Sequence, residues 1–244
     1  MKLRLKQYLV FLLGFLWMGC LSADDQVHVL CYHTFLGKPK VYTDFSIAEF
    51  RQQIQTIKSH GYRFVTLQDV LGKSVKGPKN VMLVLDDGNV SAYRAYEDVL
   101  KPSGIKAVFA IYPGIINKVH YAMKWEHVST LKKDGNDIVS HGYFHEYLND
   151  KLKSSRPKDF DKEAVLSKKI LESKVGISVV SYVYPFGVVT ASGKTLLKAS
   201  GYRYAFSLVQ KPMLLPIERN GDLLDLPRYM VTRQNAKNII GIFK

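Results

Sequence analysis

Two adjacent carboxylates, Asp86-Asp87, end an apolar run from Val81 to Leu85 and are followed by Gly88. Neighbouring acids repel each other unless they share a cation, so the pair invites metal ligation. Asp-Gly is also ordinary turn chemistry. Farther along, His141 and His145 stand four residues apart in Ser140-His141-Gly142-Tyr143-Phe144-His145. Imidazoles at that spacing share a face of a helix and can also chelate from a tight loop. With one carboxylate they make a two-His, one-carboxylate set that leaves positions open for water and substrate. Zinc is the natural ion, and cobalt, nickel or iron(II) take the same donors. Two surface histidines would explain the spacing as well. The informative feature is the coincidence of this pair with a double acid at a different strand end. His33, closing the apolar stretch from His28, is a third such terminus.

Those groups meet only if the elements carrying them end on one rim. Strands are expected over His28–His33, Arg63–Leu67, Val81–Leu85, Ile105–Ile111, Asp137–Ser140, Val179–Tyr184 and Tyr204–Leu208, with a last one over Leu226–Val231. Helices are expected between them: from Ile47 behind a Ser46–Glu49 capping box, near 91–101, over Trp125–Lys133, Asp159–Lys174 and Ser192–Ser200. The mixed charge of Asp159–Lys174 reads as a solvated outer face. Alternating strands and helices predict parallel strands with helices outside, a barrel whose strand ends share a rim. The chain contains no G-x-G-x-x-G or G-x-x-x-x-G-K-[ST] phosphate loop.

Composition bounds the rest. A chain of 244 residues, 47% hydrophobic and 23% charged, builds one α/β domain, expected over 24–244. Residues 1–23 read as an export signal, with Lys2, Arg4 and Lys6 ahead of a short apolar core. Gly19-Cys20 also hints at a lipid anchor site. The formal net charge is +14, and beyond the signal 32 basic residues face 21 acidic ones, leaving +11. Without a nucleic-acid motif, that excess points to an anionic cell envelope rather than to nucleic acid. The mature chain keeps one thiol, Cys31, expected as a buried spectator.

Taken together, the motifs resemble those of the polysaccharide deacetylases with a NodB-homology domain, carbohydrate esterase family 4. Leu85-Asp86-Asp87-Gly88 resembles that family's T-F-D-D-G, His141-Gly142-Tyr143-Phe144-His145 its H-[ST]-x-x-H, and Tyr184-Pro185-Phe186-Gly187 its R-x-P-[FY]-G with Val183 at the arginine position. Leu30-Cys31-Tyr32-His33, Gly201–Phe206 and Leu226-Pro227-Arg228 resemble the branch acting on biofilm poly-N-acetylglucosamine. The resemblance implies a single-domain distorted (β/α) barrel of the NodB-homology type. It implies an exported, metal-dependent hydrolase that removes N-acetyl groups from an N-acetylglucosamine polysaccharide. Asp87, His141 and His145 would hold the metal, Asp86 would be the base and His33 the acid. The Phe186 backbone N–H would meet the oxyanion. Apart from the resemblance, Tyr184 is a candidate to stack on a sugar ring, with core packing as its default. For the missing arginine, Arg228 of the last strand is the candidate for orienting Asp86. An O-acetyl esterase and a catalytically silent glycan-binding protein are the alternatives.

Overall fold

The run Asn80–Leu85 forms strand β3, and all six of its residues are buried. A strand covered on both faces carries apolar residues without alternation, as this one does. The structure, a computed structural model, describes residues 24–243; the expected export signal, with Cys20, lies outside them. Around β3 the sheet is built from β1 (Gln26–Tyr32), β2 (Arg63–Phe64), β4 (Val108–Ile111), β5 (Asp137–Ser140), β6 (Ser181–Val183) and β7 (Tyr204–Phe206), with β8 (Met213–Leu214) and β9 (Tyr229–Met230) last. The order is β7-β6-β5-β4-β3-β1-β8, with β2 also on β3 and β9 on β1. Every pairing is parallel except β1 with β8. A parallel bridge from Phe206 to Leu226, just before β9, turns the far edge back toward β1. The sheet therefore curls into a nearly closed barrel, as expected for the (β/α) class.

Side chains divide by strand parity. Val27 and Val29, Met82 and Val84, Val108 and Ala110, Val139, Val183 and Phe206 form the interior cluster. Leu30, Leu83, Phe109, Ile138 and Tyr182 pack the other way, beneath the helices. These are α1 (Ile47–Ser59), α2 (Leu67–Leu71), α3 (Val90–Ala95), α4 (Trp125–Lys133), α5 (Asp150–Ser155), α6 (Pro157–Val175) and α7 (Ala191–Ala199). The Ser46–Glu49 capping box starts α1 as expected.

Several elements differ from expectation. The strand expected over 63–67 stops at Phe64, because Thr66 and Asp69 make a second capping box that starts α2. The helix near 91–101 is α only through Ala95 and continues as a π turn over Tyr96–Leu100. The helix α6 is not simply solvated: Phe160, Glu163, Ala164, Ser167 and Leu171 are buried. None of the described helices is long and apolar enough to cross a membrane.

Candidate active site

The interior parity, continued past the strand ends, selects the site. From Val27 and Val29 it runs to Cys31 and His33, from Val84 to Asp86, from Val139 to His141, and from Leu226 to Arg228. Register fixes the levels: Cys31 lies opposite Val84 and Tyr32 opposite Leu85, and the Asp86 N–H donates to the Tyr32 carbonyl at 2.8 Å. His33 and Asp86 thereby leave adjacent strands side by side. Asp87 breaks the alternation with a left-handed φ of 75°, and its carboxylate joins the same side.

There Asp87 Oδ1 lies 3.4 Å from His141 Nε2 and 3.3 Å from His145 Nε2. Donors bound at about 2.0–2.1 Å around a tetrahedral ion stand roughly 3.3–3.4 Å apart, so these separations suit a common ion. His141 Nδ1 is 2.8 Å from the Val183 carbonyl. An N–H there leaves the Nε2 lone pair facing Asp87, the outer contact that fixes a ligating histidine's tautomer. Asp87 Oδ1 is buried with no hydrogen-bond donor among the described residues. Charge points the same way. Burial opposes ionisation of Asp87, but the two imidazoles outweigh it and hold its carboxyl far below the usual range. Burial also opposes a charge on His141, yet Asp86 and Asp87 outweigh that and raise its affinity for a positive charge. The donor set, its spacing and its unpaired lone pairs fit a divalent metal ion.

Beside it, Asp86 is almost fully buried. Burial would raise its carboxyl, but the Arg228 guanidinium outweighs this and keeps it below its ordinary value. Arg228 Nη1 donates to both Asp86 oxygens at 3.0 Å, and its Nε donates to the Ser207 carbonyl at 3.0 Å. The Cys31 thiol, 3.2 Å from Asp86 Oδ2, also donates to that carboxylate. Cys31 is thus not the spectator expected: it shares the carboxylate with Arg228. Burial beside Asp86 pushes the thiol well up, so it stays protonated and able to donate. His33 Nδ1 lies 3.9 Å from the same sulfur, half-buried at the rim.

Phe186 adopts a left-handed φ of 60° just past β6. Its half-exposed ring sits 4.7 Å from the His145 ring and stacks on exposed Tyr147 at 4.1 Å. Tyr184 corrects the expectation of a sugar contact. It has the parity of Tyr182, is buried on the helix side, and donates its hydroxyl to the Leu224 carbonyl at 3.1 Å. Tyr112, 5.2 Å from the His145 ring, and Glu163, under the histidine loop, were not singled out by sequence. His127 accepts from the Lys124 N–H and stacks on Tyr93.

A sequence model described as polysaccharide deacetylase matches residues 73–205. The match takes in Asp86, Asp87, His141, His145 and Phe186 and leaves out β1 and β9, which bring His33 and Arg228. A poly-β-1,6-N-acetyl-D-glucosamine N-deacetylase of Staphylococcus aureus strain MRSA252 is 24% identical over 220 residues, covering 84% of this chain and 74% of the relative. The structure of IcaB from Ammonifex degensii is similar at 27% identity and a TM-score of 0.76, covering 90% of this chain and 97% of that one. The Streptococcus pyogenes deacetylase PplD, at 20% identity and a TM-score of 0.77 over 91% of this chain and 100% of its own, shares the fold.

Proposed function

The chain belongs to the polysaccharide deacetylase family, and from that premise we propose that it removes N-acetyl groups from a poly-N-acetylglucosamine polysaccharide, releasing acetate. The observation that carries this reading is the convergence of Asp87, His141 and His145 beside an Asp86 held by Arg228. The naming of the S. aureus relative and the likeness to IcaB support the choice of glycan.

In this reading Asp87, His141 and His145 hold a divalent ion, zinc first and cobalt, nickel or iron(II) as substitutes. Bound there, the ion would act as a Lewis acid toward water and the acetamide carbonyl. Asp86, ionised and aimed by Arg228, takes the proton of the attacking water as its oxygen bonds to the carbonyl carbon. The Phe186 backbone N–H is the proposed donor to the developing oxyanion. An amide nitrogen leaves poorly as an anion, so protonated His33 gives it a proton as the C–N bond breaks. Acetate and a free amine result. The Arg228–Asp86 contact favours turnover over the silent glycan-binding alternative, since it supplies what Val183 lacks. The basic leader-like segment 1–23 supports export to the envelope, and the net charge of +11 beyond it supports contact with an anionic surface.

The test is acetate release from poly-β-1,6-N-acetylglucosamine oligomers. Turnover is expected to vanish on chelation and return with Zn²⁺ or Co²⁺. Asp86→Asn is expected to bind metal like the wild type and release no acetate. Glycan binding without release under any of these metals would favour the silent protein, and release from O-acetyl esters alone would favour the esterase.

A further inference from the structure

We propose that Glu163 of α6 is a positioning residue for the metal centre: its carboxylate is the anchor around which the His141–His145 loop is wound. The proposal rests on the metal-site reading above and adds a residue outside the family's matched motifs.

Glu163 is fully buried, and no Lys, Arg or His nitrogen lies within 4.0 Å of it among the described residues. Its partners are backbone donors. The Phe144 N–H donates to Oε1 at 2.6 Å, and the Tyr143 and Glu146 N–H groups donate to Oε2 at 3.1 and 3.2 Å. Three donors from four successive residues make an internal anion nest. Burial nonetheless pushes the Glu163 carboxyl up to about 7 despite those donors. A group kept at that cost supplies what no apolar side chain could, acceptors for three N–H groups of a half-buried loop.

The same helix face grips the loop a second way. One turn on, the Ser167 hydroxyl donates to the Gly142 carbonyl at 2.7 Å and lies 2.7 Å from the Ser140 hydroxyl. Each of the two histidines is thereby bracketed: His141 by held residues 140 and 142, His145 by held residues 144 and 146. The bracket matters most at His145, whose φ of 64° is a strained conformation for histidine. Gly142 records the same arrangement. Its φ is 80°, and a Cβ there would fall 2.1 Å from Glu163 Oε2. In this chain glycine stands where the family motif has Ser or Thr, and the carboxylate from α6 occupies the space a side chain would take.

Co²⁺ binding to the purified protein tests this without relying on turnover. Glu163→Gln sets an amide NH₂ against at least one of the three N–H donors whichever way it turns. Co²⁺ affinity is expected to fall about 10- to 100-fold, as for other residues that orient metal ligands. The visible absorption of the Co²⁺-saturated variant should also change, with a cooperative unfolding transition retained in the apo protein. Equal loss of stability with and without metal, at unchanged Co²⁺ affinity and spectrum, would overturn the proposal, because Glu163 would then serve only the fold. Should Glu163→Gln fail to fold, Ser167→Ala decides: weaker Co²⁺ binding supports the bracket and wild-type binding overturns it. Wild-type protein that takes up no Co²⁺ removes the metal reading and this proposal with it. Wild-type uptake matched by unchanged variants removes the proposal alone.

Discussion

The proposed base Asp86 has to be ionised and aimed, and both depend on one arginine. Arg228 is fully buried and donates to both carboxylate oxygens while the Ser207 carbonyl holds its Nε. Such a pair adds little net stability over an apolar substitute, but breaking it strands a charge in the interior at a cost of about 3–5 kcal/mol. Arg228→Ala is therefore expected to lose about that much stability in urea unfolding. Its acetate release should fall by about 100-fold, the scale of a catalytic group displaced by an ångström. Arg228→Lys should recover part of the stability and little of the rate, because a point charge cannot span the carboxylate and the Ser207 carbonyl together. Wild-type turnover in Arg228→Ala would take the residue out of the site.

At the scale of the element, strand parity decides which residues reach the rim, and it was only partly legible in the sequence. The strand-end acids and histidines were readable because polar groups interrupt apolar runs there. Tyr184 was not, because β6 puts Ser181 and Val183 on one face and Tyr182 on the other, and nothing in Val183-Tyr184 marks which points inward. The pairing of Ser140 with Tyr182 settles it. Glu163 carries a signal in its spacing: it stands three residues after Phe160 and eight before Leu171, on the buried stripe of a helix whose mixed charge points to solvent. Cys31 could not have been separated from an ordinary core thiol without knowing that Asp86 lies across the pair. The outward face of β1 carries a testable consequence of the same parity. His28 is buried against Tyr62, Tyr229 and Phe243, at ring separations of 5.7, 5.9 and 4.4 Å, and its Nδ1 has no partner among the described residues. Burial pulls its pKa down to about 4. The unfolded chain takes up this proton near pH 6.5 and the folded one resists it. The contribution is therefore complete above pH 6.5 and is lost as the pH falls through 4, by about 3 kcal/mol at most. Urea unfolding at pH 7, 5.5 and 4.5 should show that loss in the wild type and a shallower slope in His28→Phe. Parallel slopes would mean that His28 titrates normally in the fold.

For the whole molecule the net charge acts on substrate and product differently. Beyond the expected signal the chain carries a formal +11, while an acetylated glucosamine polymer is neutral. Each acetyl group removed leaves a primary amine that gains positive charge near neutral pH. Long-range repulsion therefore grows as one polymer is processed, and it is felt over about 10 Å at 0.1 M salt. Near the rim the acids face Arg228 and two imidazoles. Binding of the acetylated chain should hardly respond to salt. Inhibition by the deacetylated chain should strengthen as salt screens the repulsion, with an inhibition constant several-fold lower at about 200 mM than at about 20 mM. The proposed contact with an anionic envelope would have the opposite sign and weaken over the same range. Inhibition constants for a deacetylated oligomer, measured by acetate release at the two salt concentrations, check the first. Inhibition that weakened with added salt would mean that the local field of Asp86 and Asp87, not the net charge, governs how the product leaves.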